Sequence, residues 1–187
     1  MSPLHAAAAI SLRERILLAR RDGYARNMSE LPDKLRAIEA AAAVFGEERT
    51  PYALIGGLAV GIRSGIPRAT ENVDFAVPSS ASRQNLTVAL ERHGFRKTGD
   101  FPHSVNFVHE SGEPVQLASD PGFDAMIERA ELITLGEFAL RVVTKGDLIA
   151  MKRRAASDPA RRRSKALRDA ADVALLEGDV PDPNEGW

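Results

Sequence analysis

Apolar residues recur at helical spacing in two stretches near the start of the chain. Ile10, Leu12, Ile16, Leu17 and Ala19 predict an amphipathic helix ending near Gly23, and Leu35, Ile38, Ala42 and Phe45 predict a second over 33–46. YALI, residues 52–55, then reads as a short apolar strand that Gly56-Gly57 breaks, and LAVGIRSG predicts a short helix closing at Gly65. Residues 72–77, NVDFAV, alternate: Val73, Phe75 and Val77 face one way, Asn72, Asp74 and Ala76 the other. Pro78 and two serines end that strand, and a helix is predicted over 82–92 with Gly94 suited to its C-cap. Strands follow at 95–98, 104–109 and 114–118, with Ser111-Gly112 a hairpin turn, and shorter ones at 131–134 and 138–143. The T-K-G-D beginning at Thr144 is a capping signature for a helix over 145–156. Asp158-Pro159 predicts the start of a last helix that ends at Gly178. Leu167, Ala171, Ala174 and Leu175 recur at i, i+4, i+7 and i+8, so that face is expected to pack on the domain, with Arg161, Lys165 and Arg168 more exposed.

This order of elements predicts an α/β (α+β) fold, a mixed β-sheet core with flanking N- and C-terminal helices. The expected organisation is a helical extension over 1–30, one domain over 31–178 and a loose tail over 179–187.

Composition narrows the class. The chain has 187 residues, about one domain's length, with 44% hydrophobic and 27% charged residues, a globular balance rather than a disordered one. The lack of cysteine excludes a disulfide scaffold, thiol catalysis and a cysteine zinc site. No apolar run has the length of a membrane span, and the arginines near the start follow the apolar stretch, unlike a secretory signal. A soluble, cytoplasmic protein is expected. The net charge of −1 gives no global attraction for nucleic acid. Charge is uneven, however: residues 145–172 hold nine Lys/Arg against four Asp. Arg161-Arg162-Arg163 with Lys165 reads either as a solvated helix face or as a stripe meeting nucleic-acid phosphates. Lys165–Asp169 and Arg168–Asp172, at i,i+4, are expected to match part of that charge. His93, His103 and His109 show no metal spacing, and there is no G-x-S-x-G or H-E-x-x-H.

The informative stretch is YALIGGLAVGIRSGIPRATENVDFAV, residues 52–77. A strand running through Gly-Gly into a helix lets backbone approach a ligand closely and points a helix N-terminus at it. Two phosphate motifs fail: Gly56 to Gly61 has P-loop spacing, but Ile62 replaces the lysine, and Leu58 replaces the second glycine of a Rossmann fingerprint. Lys152, one turn after Leu148, reads as a phosphate contact or as a lysine snorkelling from an apolar face.

A strand, Gly-Gly, a helix and then R-x-T-x-x-x-D resembles the minimal nucleotidyltransferases of the DNA polymerase beta superfamily. LIAMKRR (148–154), the basic stretch after it and RDAADVALL (168–176) resemble the C-terminal part of the AbiEii-like transferases of abortive-infection and toxin–antitoxin systems. The resemblance spans roughly residues 33–177. It implies that Gly56 and Gly57 hold a triphosphate, that Arg68 and Thr70 brace it and the strand entry, and that Lys152 meets phosphate. It also implies that Asn72, Asp74 and Gln116 hold the positions of three magnesium-binding acids, with Asp74 and Asn72 the metal ligands. The implied reaction transfers a nucleotide from a nucleoside triphosphate to an RNA or protein acceptor with Mg2+; a cognate partner protein is implied as well.

Two of the three acid positions are amides here, Asn72 and Gln116. Each change removes an anionic ligand for a hard dication, so weak magnesium binding is expected. Two functional outcomes remain open: a transferase of weak activity, or a degenerate relative that binds nucleotide or a partner protein without catalysis. Either way Asn72, Asp74 and Gln116 are expected to converge near Gly56-Gly57, with Lys152 on the wall of a common cleft.

Overall fold

A computed structural model of the chain describes residues 33–135 and 138–179. The helix expected over 10–23 and nearly all of the expected tail lie outside the described residues.

Helix α1 (Lys34–Glu47) starts where the Asp33 side chain accepts from the backbone N–H groups of Leu35 and Arg36. Strand β1 (Ala53–Ile55) runs directly into α2 (Gly56–Ser64), which ends at Gly65 in the left-handed conformation. Strand β2 (Val73–Val77) follows, and then α3 (Arg83–Arg92), capped by Ser82. Three consecutive strands, β3 (Phe95–Phe101), β4 (Ser104–His109) and β5 (Pro114–Ser119), form a meander. Helix α4 (Pro121–Glu128) leads to the hairpin of β6 (Glu131–Leu135) and β7 (Phe138–Val142). Helices α5 (Lys145–Ser157) and α6 (Arg163–Glu177) complete the described chain and pack on each other and on α2.

The seven strands form one mixed sheet in the order β3-β4-β5-β2-β1-β7-β6. Strand β2 lies near its centre, antiparallel to β1 and parallel to β5. Its alternation is as the pattern predicts: Val73, Phe75 and Val77 are buried, and Phe75 meets Phe45 of α1 edge-on at 5.2 Å between ring centroids. The register pairs Ile55 with Asp74 and Asp74 with Gln116, which brings the end of β1 and both polar positions together.

Three expectations are corrected. Helix α4 occupies a stretch for which the pattern predicts no element; Asp120 caps it and proline stands in its first turn. The last helix starts at Arg163 rather than at Asp158-Pro159. There Asp158 accepts from the Ala160 N–H through its side chain and from the Arg161 N–H through its carbonyl, so Asp-Pro makes a turn between the helices instead of a cap. Finally, the face that α6 presents to the domain is shifted: of the four expected residues Ala174 and Leu175 are half-buried. Leu167 is 62% exposed and Ala171 is exposed, while Leu176, Asp169 and Asp172 are buried. The reason lies in what the two aspartates hold.

Candidate functional site

A cleft of about 960 Å³ opens between the polar side of β2 and β5, the start of α2, and the α5–α6 pair. That volume suits a small-molecule ligand. Gly56, Gly57, Arg68, Thr70, Asn72, Asp74, Gln116 and Lys152 all line it. The structure therefore brings every sequence-predicted site residue into one space.

Local constraints explain the double glycine. Gly56 has φ of 72°, and a Cβ there would lie 2.1 Å from Asp74 Oδ2. At Gly57 a Cβ would lie 2.4 Å from Arg68 Nη1 and 2.9 Å from Thr70 Oγ1. Gly-Gly is thus more than a turn: it lets Asp74, Arg68 and Thr70 lie directly against the strand-to-helix corner. No side chain caps α2, whose first residues face the cleft.

Asp74 is the carboxylate at the cleft floor. Asn72 Nδ2 donates to its Oδ1 at 2.5 Å, and the Thr70 hydroxyl donates to the Asn72 carbonyl at 3.2 Å. Burial pushes the Asp74 carboxyl up to about 6, against the opposing pull of Lys152, the Asn72 hydrogen bond, Arg68 and Lys165. Gln116 stands beside Asp74 on the neighbouring strand. At one end of the cleft, buried Lys34 and Glu113 form an ion pair of 2.5 Å.

The wall opposite is an ion-pair network that sequence reasoning missed. Arg68 grips Asp172 with two donors, Nε at 2.5 Å and Nη2 at 3.2 Å. Lys152 lies between two carboxylates, 2.8 Å from Asp172 Oδ2 and 2.8 Å from Asp169 Oδ1. Arg161 reaches Asp169 Oδ2 at 2.7 Å. Burial by itself would raise the Asp169 carboxyl, but the hydrogen bonds and charges of Lys152 and Arg161 outweigh it and hold it below the usual range. The expected i,i+4 pairs Lys165–Asp169 and Arg168–Asp172 are not formed. Charges attract far more strongly away from water, so buried partners on α5 and before β2 capture both aspartates. This rotates α6. Lys152 is buried between anions rather than snorkelling to solvent. The signal that could have revealed the network was D-x-x-D in RDAADVALL, two acids at i,i+3 on one helix face in an otherwise apolar run.

The lining carries six lysines and arginines against four carboxylates, so it favours an anion. It fits a pair of dications poorly. Among the described residues no three His, Cys, Asp or Glu side chains come together to hold a metal. Asp74 already accepts from Asn72, which turns its amide nitrogen toward the carboxylate. Hard dications bound side by side need several carboxylate oxygens, and these residues do not supply them.

Comparison with solved structures gives the fold. The chain shares the fold of antibiotic nucleotidyltransferases. ANT(2'')-Ia in complex with adenylyl-2''-tobramycin superposes with a TM-score of 0.55 at 17% identity, over 76% of this chain and 88% of that one. The lincosamide antibiotic adenylyltransferase LnuA, lincomycin-bound, gives 0.58 at 13% identity over 80% and 99%. An antigenic nucleotidyltransferase-like protein from Paracoccidioides brasiliensis gives 0.55 at 19% identity over 83% and 81%. The family follows from the sequence: residues 36–185 match the family described as nucleotidyl transferase AbiEii toxin, Type IV TA system, and the chain belongs to the AbiEii nucleotidyltransferase family. None of the curated proteins matches it. No helix among the described residues is long and apolar enough to cross a membrane.

Proposed function

We propose that this chain binds a nucleoside triphosphate in the cleft and acts as one component of a toxin–antitoxin or phage-defence pair, with little nucleotidyl transfer of its own. The observation that carries this reading is the cleft floor. A nucleotidyltransferase scaffold surrounds one carboxylate, Asp74, flanked by the amides of Asn72 and Gln116. The family membership supports the nucleotide and a cognate partner protein.

In this reading the chain's own groups bind and orient the ligand. Gly56 and Gly57 bring backbone N–H groups of α2 to the phosphates. Arg68 and Thr70 brace the corner, with Arg68 held in place by Asp172. A single magnesium ion would find one anionic ligand here, Asp74, beside the amides of Asn72 and Gln116, and would neutralise phosphate charge. One anionic ligand makes that binding weak.

The test is calorimetry with each of the four ribonucleoside triphosphates, alongside incubation of the protein with labelled triphosphate, Mg2+ or Mn2+, and cellular RNA or protein. The expected result is measurable nucleotide binding with transfer near background in the wild type, and transfer that rises in N72D/Q116D. Vigorous Mg2+-dependent labelling of RNA or protein by the wild type would overturn the reading in favour of an active transferase.

A further inference from the structure

The cations of the cleft differ in what they have left to offer. Arg68, Lys152 and Arg161 are each within ion-pair distance of Asp169 or Asp172. Lys165 and Arg168 also line the cleft and belong to α6, but neither is in an ion pair within 4.0 Å among the described residues. They stand at i,i+3, so their side chains share one face of the helix. Both are exposed on the cleft side of the molecule, and the charge of Lys165 is felt at Asp74 on the floor.

A phosphate that entered the cleft would have to displace a buried carboxylate to engage Lys152 or Arg68 fully. Against Lys165 and Arg168 it displaces only water. Triphosphates ordinarily need a divalent cation because a site must offset their charge. Here the carboxylates that would hold such a cation are largely absent, while lysine and arginine side chains outnumber acids around the lining.

We infer that Lys165 and Arg168 form the triphosphate-binding contact of this cleft, and that they bind the polyphosphate chain directly, without a divalent metal. The inference rests on the nucleotide-binding reading above and specifies which groups meet the phosphates. Lys152 and Arg68 then serve as the buried frame that orients α6, with Asp169 and Asp172 as its anchors.

The test titrates the full chain with inorganic triphosphate and with ATP, each in EDTA and in excess Mg2+. Three proteins are compared: wild type, K165A/R168A, and the control R162A/R163A, whose exposed arginines lie on the same helix end but outside the cleft lining. Wild type is expected to bind both ligands in EDTA as tightly as in Mg2+, within about threefold. K165A/R168A should bind both at least about tenfold more weakly, the scale of one lost charge-assisted hydrogen bond. R162A/R163A should stay within about twofold of wild type. Circular dichroism should show all three folded, since exposed cations contribute little stability. Binding that vanishes in EDTA overturns the metal-free inference while leaving nucleotide binding in place. Metal-free binding that K165A/R168A leaves intact overturns the assignment of these two residues. Failure of triphosphate and ATP to bind in either medium overturns the nucleotide-binding reading itself.

Discussion

Replacing Asp74 by asparagine should stabilise the protein, and only above acidic pH. The Asp74 carboxyl is displaced from 3.8 to about 6 because burial penalises its charge more than the nearby cations favour it. Two units correspond to about 3 kcal/mol, less some screening by water in the cleft, so about 2–3 kcal/mol is expected. The sign follows from linkage. Between about pH 4 and 6 the folded state holds the proton and the unfolded state has released it. The unfolded state thus gains relative stability as pH rises through that window. Well below pH 4 both states are protonated and the cost is absent; at pH 4 about 0.5 kcal/mol of it is present, and well above 6 all of it. Asparagine cannot ionise, keeps an oxygen for the Asn72 amide, and nearly matches the size of the carboxyl. Urea denaturation of wild type and D74N at pH 8 and pH 4 reads the difference directly. D74N should be more stable by about 2–3 kcal/mol at pH 8 and by no more than about 0.5 kcal/mol at pH 4. An equal difference at both pH values, or a loss at pH 8, would refute the assignment of burial as the dominant cause. A residue that costs stability where it stands fits a site shaped for a ligand rather than for folding.

Gly56→Ala should destabilise by about 2–4 kcal/mol, combining about 1–2 kcal/mol for the left-handed conformation with the contact at 2.1 Å on Asp74. In G56A/D74A the contact with the carboxylate is removed and only the 2.9 Å approach to the residue 74 Cβ is left, so the double mutant should be less destabilised than the sum of the single mutants by about 1 kcal/mol in a denaturation cycle; additive effects would mean that the Asp74 carboxylate does not crowd the corner. Leu167→Lys should change stability by less than about 0.5 kcal/mol, whereas Leu176→Lys should unfold the C-terminal helix or cost more than about 3 kcal/mol. Thermal melts that reversed this order would restore the helix face that the sequence periodicity predicts.

Much of this protein is written locally in its chain. The alternation of Val73, Phe75 and Val77 identifies a strand buried on one side, because successive side chains must point to opposite faces. The caps at Asp33, Ser82 and Thr144 mark helix starts, because helix N–H groups without partners need an acceptor nearby in sequence. Gly56-Gly57, Arg68, Thr70, Asn72 and Asp74 fall within 19 positions, so one strand–helix–strand unit collects them and this part of the site is legible in the order of residues alone. The C-terminal helix shows where local reasoning stops. Spacing pairs Asp169 with Lys165 and Asp172 with Arg168, both exposed neighbours one turn away. The folded chain instead gives Asp172 to Arg68, 104 residues earlier, and Asp169 to Lys152 on the preceding helix. Only the tertiary structure places those partners out of water, where attraction between charges is strongest and an unpaired carboxylate is most costly. That preference outweighs the burial of Leu167, turns α6 by part of a turn, and leaves Lys165 and Arg168 as the cations facing the cleft without an ion-pair partner among the described residues.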